Sequence, residues 1–375
     1  MKIAVVGCGA VGSYYGARLA RGGDEAHFLL RSDYDAVKRQ GVLVRSPEGD
    51  FQVWPQCARR PEEIGPADLV LIGLKTTAND AFARLLPPLV GPGTVLLTLQ
   101  NGLGNEEDLA RLFPAAHIMA GLCFVGLNRI APGVIQHIAY GQIDLGEFQR
   151  PPESLSRHRE HPTGLPSGRE FASSGASDLA SAMGGSAVAG RGGADIQALR
   201  PSRALRDLAA RFCAAGVPCI VSDNLGRSHW EKLVWNIPFN GLGVAGVAGF
   251  DALAQPCCAP QISTARDCLT TDQLLADARW YQLVRDLMQE VITAARTLRF
   301  DVPDAFADKL IERTRTIGAY RASTLIDFKL GHPLEMQNLF LEPLRRATQA
   351  GAIMPLLSAL CQVLKRLDRG ARPAA

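Results

Sequence analysis

The chain lacks the features that mark nucleic-acid-binding or disulfide-rich proteins. Its net charge is only +3 over 375 residues, aromatic residues make up 6%, and no dense block of lysine and arginine is interleaved with them. Nucleic acid is therefore not an expected partner. The nine cysteines are odd in number and include no Cys-x-x-Cys pair, which indicates a reduced, cytoplasmic protein and offers no closely spaced ligands for zinc. We expect no bound metal.

Segments that could enter a membrane are also scarce. The apolar run at the N-terminus is broken by Gly7 and Gly9 and is too short for a signal sequence. One stretch, Leu233 to Phe250, carries no charge over 18 residues, but it contains two asparagines, a proline and four glycines. We therefore predict that this stretch is buried inside a protein rather than in a bilayer.

The first part of the chain alternates short β-branched runs with amphipathic stretches. This alternation is typical of βαβ units, which form a parallel sheet. The predicted elements are strand Lys2–Val6, helix Val11–Arg21, strand His27–Leu30, strand Leu69–Ile72, helix Ala81–Leu89 and strand Val95–Leu99. A hairpin is predicted within Gly41–Val53, and a second pairs Gly133–Ile138 with Gln142–Leu145 after a turn at Ala131-Pro132-Gly133. The sheet should thus end in antiparallel strands.

Composition divides the rest of the chain. Residues 150–201 are so rich in Ser, Gly, Ala, Arg and Pro that they cannot bury enough apolar surface to order themselves, and we predict a disordered insertion or, alternatively, a regulatory arm. Helix Arg203–Cys213 and strand Val217–Val221 follow. An α/β domain is therefore predicted over residues 1–223 and an all-α domain over 224–375. The main predicted helices of the second domain are 225–248, 273–298, 304–317, 335–350 and 354–367, with a surface loop at 254–271.

A glycine-rich turn indicates the ligand of the first domain. Gly7-Cys8-Gly9-Ala10-Val11-Gly12 is a G-x-G-x-x-G sequence between a predicted strand and a predicted helix. In that context it is typical of a Rossmann-type dinucleotide-binding fold, with the pyrophosphate at the helix N-terminus. Cys8 is interpreted as a small side chain that fills a tight space rather than as a nucleophile. We predict that all six residues contact the cofactor.

The end of the second strand favours NADP (NADPH) over NAD. Nineteen residues after Gly12, where NAD-binding proteins carry a carboxylate for the ribose, the chain has Arg31. A guanidinium can hold a 2′-phosphate with two hydrogen bonds, whereas a carboxylate would repel it. The alternative is a solvated surface arginine, and the nearby Asp33 and Asp35 leave NAD open.

Two further polar residues follow predicted strands. Lys75 follows strand Leu69–Ile72, and Asn101 follows strand Val95–Leu99. Since ligands of open α/β sheets bind at the carboxyl ends of the strands, we predict that Lys75 and Asn101 line the cofactor site and that Asn101 also reaches the substrate. Turn chemistry alone could also explain Asn101-Gly102.

The most informative pattern of the second domain is a polar ladder in an apolar helix. Lys232, Asn236 and Asn240 are spaced by four residues, so their side chains share one helical face and lie about 6 Å apart along the axis. The alternative is a pair of satisfied core amides with a lysine that extends to solvent. Pro238, inside this ladder, is expected to kink the helix toward a cleft.

Taken together, these motifs resemble the ketopantoate reductase family, over most of the ordered chain. The resemblance is carried by Gly7 to Gly12, Arg31, Leu74-Lys75, Gln100-Asn101-Gly102, Ala131-Pro132-Gly133 with His137, Leu145-Gly146-Glu147, Val221-Ser222-Asp223, Trp230 to Asn240, Ser323 with Asp327, and Glu335. It implies NADPH-dependent reduction of 2-dehydropantoate to pantoate, on the route to pantothenate and coenzyme A, in a cleft between a Rossmann domain and a helical domain.

The resemblance also implies roles for individual residues. Lys232 would be the general acid that protonates the developing alkoxide, Asn236 and Asn240 would bind the substrate, and Ser323 would bind its carboxylate end. Glu335 would reach the cofactor or Lys232. After Glu335 the chain reads Met-Gln-Asn where the family usually has Ile-Asp, so the reaction type is better supported than the identity of the keto acid.

Four other functions are alternatives. A β-hydroxyacid dehydrogenase also uses a Lys-x-x-x-Asn helix, and a reductase of another branched 2-keto acid would need few changes. An NADPH-sensing regulatory protein would bind the cofactor without turnover. A 2-hydroxy-acid dehydrogenase with a His base would have to use His229, which is more simply a residue at a helix start. The oligomeric state is not determined by the sequence, and a homodimer is one possibility.

Overall fold

The computed structural model describes residues 1–149, 201–254 and 267–370. Predictions made for residues 150–200 and 255–266, within the proposed insertion and the proposed surface loop, lie outside the described residues. The described parts form one compact unit. Their architecture is a Rossmann-like α/β sheet followed by helices, which confirms the predicted fold class.

The described strands form a single ten-stranded sheet. Its strands are β1 (Lys2–Val6), β2 (Glu25–Leu29), β3 (Val42–Arg45), β4 (Phe51–Val53), β5 (Gln56–Ala58), β6 (Leu69–Ile72), β7 (Val95–Thr98), β8 (His117–Ala131), β9 (Val134–Glu147) and β10 (Cys219–Val221). Their order is β4-β3-β9-β8-β7-β6-β1-β2-β5, with β10 beside β9. Parallel pairing joins the strands β8, β7, β6, β1, β2 and β5 in that order. The pairs β3–β4 and β8–β9 are antiparallel.

Both faces of the parallel part are buried. Ile3 and Val5 of β1 pack into one apolar core, and Ala4 and Val6 pack into the other. This burial explains why β1 is apolar at nearly every position, as expected for a strand covered on both sides. The helices of this domain are α1 (Ala10–Arg21), α2 (Tyr34–Gln40), α3 (Phe82–Leu85), α4 (Asn105–Leu112) and α5 (Arg203–Ala214).

The predicted second hairpin was wrong in its pairing. The segments 133–138 and 142–145 belong to one strand, β9, and its partner is β8, which was not predicted. The turn at Ala131-Pro132-Gly133 is the true hairpin connection. Tyr140 and Gly141, which lie between the two predicted segments, form a bulge in β9, where the register shifts. The hairpin predicted within Gly41–Val53 is present as β3–β4.

Helices make up the described part of the chain after β10. They are α6 (Leu225–Ala245), α7 (Asp251–Ala254), α8 (Thr271–Ala276), α9 (Ala278–Thr297), α10 (Ala305–Arg315), α11 (Ser323–Lys329), α12 (Glu342–Gln349) and α13 (Pro355–Gly370), with a π-helical turn, Gln337–Leu341, before α12. The predicted helix 273–298 is divided at Asp277, whose carboxylate accepts hydrogen bonds from the Arg279 and Trp280 amides and so begins α9. Helix α11 was not predicted.

Helix α6 is the central element of the helical domain. It packs against α9, α11 and α13 and is buried on nearly all sides from His229 onward. Its range continues through Pro238, so the proline does not end it, and the predicted kink stays a prediction. In the described ranges, no helix combines the length and the apolar character that crossing a membrane requires.

Candidate active site

The glycine-rich turn between β1 and α1 has the backbone that its sequence requires. Gly7 has φ +93°, and a Cβ there would lie 2.3 Å from the Leu74 amide nitrogen. A Cβ on Gly12 would lie 2.3 Å from the Gly7 carbonyl oxygen. A Cβ on Gly9, the residue before α1, would meet nothing within 4 Å. Open space in front of a helix N-terminus fits a pyrophosphate, so the turn can accommodate a dinucleotide.

Cys8 packs within this turn. Its Sγ lies 3.5 Å from the carbonyl oxygens of Val5 and Leu29, and burial raises the pKa of the thiol far above its usual range. A thiol that stays protonated is a poor nucleophile. The geometry is therefore that of a small packing residue. The neighbouring Ala10 is the first residue of α1, and Val11 lines the cleft described below.

Two acidic residues near Arg31 form ion pairs with other arginines. Asp33 is buried, and its carboxylate accepts hydrogen bonds from Arg129 Nε at 2.8 Å and from the Gly133 amide at 3.1 Å. Burial opposes ionisation of Asp33, but the hydrogen bonds from Arg129 and Gly133 outweigh it and hold the pKa of this carboxyl below its usual range. Asp35 lies 2.8 Å from Arg59. Arg31 itself is exposed just after β2, so its guanidinium is accessible to a ligand.

Lys75 and Glu335 meet across the two domains. Lys75 Nζ donates to Asp327 Oδ2 at 2.7 Å and to Glu335 Oε2 at 3.3 Å, and the Thr76 amide donates to Glu335 Oε1 at 2.9 Å. Burial alone would lower the pKa of Lys75, but the charges of Glu335 and Asp327 outweigh it and raise that pKa. Glu335 thus contacts Lys75 and forms no hydrogen bond with Lys232, and its role at the cofactor stays a prediction.

The Asn101 loop is held by residues of the helical domain. Gly102 has φ +85°, and a Cβ there would lie 2.2 Å from the Asn338 carbonyl oxygen. That carbonyl accepts a hydrogen bond from the Leu103 amide at 2.9 Å, and Asn338 Nδ2 donates to the Leu103 carbonyl at 2.8 Å. Asn105, at the start of α4, donates to the Asn101 carbonyl at 3.1 Å. Asn338 lies in the Met-Gln-Asn segment that departs from the family pattern, and its structural role was not predicted.

The polar ladder of α6 points into a cleft. Lys232, Asn236 and Asn240 are buried, and all three line the cleft together with Asn101 and Ser323. Asn240 Oδ1 accepts hydrogen bonds from the Thr324 amide at 3.1 Å and from Ser323 Oγ at 3.4 Å, which orients its amide at the start of α11. The structure thus brings together residues from three segments that are far apart in sequence.

Lys232 and Asn236 have hydrogen-bonding groups without a partner in the described part of the protein. Lys232 Nζ and Asn236 Nδ2 are buried, and neither has a hydrogen-bond partner among the described residues. Such groups are costly to bury unpaired, and both are free to form a hydrogen bond with a molecule in the cleft. Burial lowers the pKa of Lys232, and the charges of the more distant Cys123, Asp144 and Glu335 oppose that shift only in part.

The cleft is open to solvent. Its cavity volume is about 160 Å³, and its walls come from both domains. The other lining residues are Val11, Leu99, Cys123, Phe124, Val125, Gly126, Leu127, Ala139, Tyr140, Glu231, Trp235, Leu310, Arg313, Thr314, Ile317 and Tyr320. Most of them are apolar. The cleft therefore has polar groups at the α6 ladder and a largely apolar remainder, as expected for a small-molecule site.

His229 has the carboxylate partner that a His base would need, but it lies outside this cleft. Its Nε2 is 3.2 Å from Glu106 Oε1, and both side chains are buried. Neither residue lines the cleft. The pair instead joins α6 to α4, beside the Asn101 loop. Sequence reasoning missed Glu106 because residues 106 and 229 share no local pattern. Among the described residues, no group of three or more metal-ligating side chains is assembled.

Family models match both halves of the chain. One, described as ketopantoate reductase PanE/ApbA, matches residues 3–150, and its C-terminal counterpart matches residues 224–368. The chain belongs to the ketopantoate reductase family. This confirms the resemblance inferred from the motifs, and with it an oxidoreductase that binds a dinucleotide.

Individual members of the ketopantoate reductase family are similar over almost the whole chain. The 2-dehydropantoate 2-reductase of Nostoc sp. is 33% identical over 98% of this chain and 95% of its own length. The crystal structure of 2-dehydropantoate 2-reductase from Geobacter metallireducens has 37% identity and a TM-score of 0.74, covering 98% of this chain and 99% of that one. D-mandelate dehydrogenase, solved with NADH and anilino(oxo)acetate, has a TM-score of 0.73 and covers 99% of both chains, but at 17% identity it shows the fold alone.

Proposed function

We propose that the protein reduces 2-dehydropantoate to pantoate with NADPH, on the route to pantothenate and coenzyme A, and that Lys232 is the general acid. One observation carries this proposal: a buried lysine without a hydrogen-bond partner among the described residues faces the same cleft as Asn101, Asn236, Asn240 and Ser323. A cytoplasmic location, a homodimer and the domain boundary at 223/224 stay predictions.

The residues that would hold the cofactor follow the rim of the sheet. The turn from Gly7 to Gly12 would bind the pyrophosphate, Arg31 the 2′-phosphate, and Lys75, Asn101 and Glu335 the part nearer the cleft. When bound, NADPH supplies a hydride. The fit is supported by the open space at Gly9 and by the exposed guanidinium of Arg31.

The residues of the cleft would then bind and protonate the substrate. Ser323 and Asn240 would hold the carboxylate end, and Asn236 Nδ2 would hold a substrate oxygen. Lys232 Nζ would donate a hydrogen bond to the ketone oxygen and transfer a proton to it as negative charge develops. Because burial lowers the pKa of Lys232, the ammonium gives up its proton more readily than an exposed lysine would.

Turnover assays with different substrates distinguish the proposed function from the other candidate functions. Purified protein should oxidise NADPH with 2-dehydropantoate faster than with pyruvate or 2-oxoisovalerate, and should not oxidise 3-hydroxy acids with NADP at a comparable rate. Preference for 3-hydroxy acids would support the β-hydroxyacid dehydrogenase. NADPH binding without turnover of any 2-keto acid would indicate the regulatory protein and refute our proposal.

Arg31→Ala should remove the preference for NADPH. Loss of a charge-assisted hydrogen bond to phosphate should raise the KM for NADPH about 10- to 100-fold and change the KM for NADH less than about threefold. Asp33 cannot substitute as a ribose ligand while it is bound to Arg129. Initial rates with both cofactors measure the effect, and Arg39→Ala, at an exposed position on α2, is the control. An equal loss with both cofactors would refute the assignment of Arg31.

The rate of reduction should decline on the alkaline side. A general acid must be protonated, so kcat should be constant at low pH and fall as the pH rises through the pKa of Lys232, which burial places below the ordinary 10.5 of lysine. Cys123, whose pKa is raised to about 11, titrates nearby and must be excluded. Cys123→Ser should keep the alkaline decline, whereas Lys232→Arg should shift it to higher pH. A decline that survives unchanged in Lys232→Arg belongs to another group.

A further inference from the structure

Tyr140 has an unusual backbone conformation at the edge of the cleft. Its φ is 63°, and among the described residues only Arg299 is another non-glycine residue with positive φ. The conformation arises where the register between β8 and β9 shifts and Gly141 becomes the extra residue of a bulge. A bulge redirects the side chains beside it, and bulges are common next to active sites. Here the redirected ring lines the cleft.

Buried side chains hold this bulge in place. The Tyr140 carbonyl lies 2.7 Å from His137 Nε2, and the Gly141 carbonyl accepts a hydrogen bond from Tyr15 OH at 3.3 Å. Gly141 has φ +132°, and a Cβ there would lie 3.0 Å from Tyr14 OH. Strained residues persist only where their surroundings determine them, and they cluster at functional sites. The backbone that carries the Tyr140 ring is therefore fixed by buried side chains of the fold.

The Tyr140 ring supports an arginine from the other domain. Arg313 of α10 places its guanidinium carbon 4.2 Å from the centroid of the ring, within the range of a cation–π interaction. Both residues line the cleft, and both are exposed. Within the described ranges, Arg313 has no carboxylate within ion-pair distance, and its charge acts only on the more distant Asp144. A positioned guanidinium with free N–H donors thus lies at the solvent side of the cleft, whereas Lys232 is buried.

The lining of the cleft can be compared with the chemistry of the proposed substrate. In 2-dehydropantoate, a carboxylate and a ketone at one end are separated from a terminal hydroxyl by a carbon that carries two methyl groups. The α6 ladder suits the keto acid end, and apolar lining residues such as Leu127, Leu310 and Ile317 suit the methyl groups. The hydroxyl then needs a donor or acceptor, because an unpaired polar group in a cleft costs affinity.

We infer that Arg313, supported by the Tyr140 ring, donates a hydrogen bond to the distal hydroxyl of the substrate and makes the protein selective for a hydroxylated 2-keto acid. This inference rests on the proposed function, since it assumes that Lys232 and its neighbours bind the keto acid end. Unlike the proposed function, the inference concerns a residue that is remote from the reacting carbon. Arg313 is thus a specificity residue, and its loss should act on substrate binding rather than on the chemical step.

Two substrates that differ only in this hydroxyl provide the test. For Arg313→Met, kcat/KM with 2-dehydropantoate should fall about 10- to 100-fold, mainly through KM, since a hydrogen bond from a charged donor is lost. With 3,3-dimethyl-2-oxobutanoate, which lacks the hydroxyl, kcat/KM should change less than about threefold. Methionine keeps the length of the side chain and removes only its donors and charge.

The matched control lies two residues further along α10. Arg315 is also an exposed arginine above an aromatic ring, with its guanidinium carbon 5.6 Å from the Tyr281 centroid, but it does not line the cleft. Arg315→Met should leave both substrates unaffected. An equal loss with both substrates in Arg313→Met, or a loss of NADPH affinity measured by fluorescence titration, would overturn the inference. No turnover of 2-dehydropantoate by the unmodified protein would instead overturn the proposed function.

Discussion

Lys232→Ala should lower kcat by about 10² to 10⁴ while NADPH affinity stays within about threefold of the unmodified protein. The ammonium is expected to act only on the ketone oxygen, where charge develops, so its loss should affect the chemical step and not the binding of the dinucleotide at the glycine-rich turn. Steady-state kinetics with 2-dehydropantoate and fluorescence titration with NADPH measure the two quantities separately.

Measurements of the free energy of unfolding distinguish a catalytic role of Lys232 from a structural one. Lys232 Nζ is buried without a hydrogen-bond partner among the described residues, so the folded state bears the cost of desolvating it. Lys232→Met, which retains most of the volume, should therefore leave the free energy of unfolding unchanged or raise it, although it removes activity. Lys309→Ala, at an exposed site on α10, should alter neither quantity. If Lys232→Met unfolded the protein or abolished NADPH binding, the lysine would be structural.

The parts of the fold that were predicted depend on local patterns. The turn after β1 is specified by glycines within six residues, and its backbone requires glycine at Gly7 and Gly12. The ladder of Lys232, Asn236 and Asn240 is set by the period of one helix, so its common face follows from spacing alone. In both cases the residues that cooperate lie on the same element or on two consecutive ones.

The parts that were missed depend on distant segments. Strand β8 was missed because its partner, β9, looked interrupted at Tyr140 and Gly141, and a bulge has the same residues as a turn. The pairing of Glu106 with His229 and the insertion of the Asn338 carbonyl against Gly102 join residues more than a hundred positions apart. No local periodicity records such contacts. Arg313 was missed for the same reason, since the Tyr140 ring beneath it comes from the other domain.

Gly102→Ala should disrupt the site without touching any catalytic side chain. A Cβ at this position would lie 2.2 Å from the Asn338 carbonyl oxygen and 2.4 Å from its carbon, so the Asn101 loop and the π-helical turn must separate. We expect kcat/KM to fall about 100-fold, because a displacement of about 1 Å of a positioning residue can cost that much. The free energy of unfolding should fall by about 2 to 5 kcal/mol, from backbone strain and overpacking together.

Gly93→Ala separates these two causes. Gly93 has φ +84°, almost the same as the +85° of Gly102, but a Cβ there would meet nothing within 4 Å. The control should therefore show only the cost of a left-handed alanine, about 1 to 2 kcal/mol, with unchanged kcat/KM. Chemical denaturation and steady-state kinetics on both variants give the comparison. Equal effects would mean that backbone strain alone acts at Gly102. A loss of activity confined to Gly102→Ala would mean that contact with Asn338 sets the position of Asn101, and that the helical domain thereby aligns the rim of the sheet with Lys232.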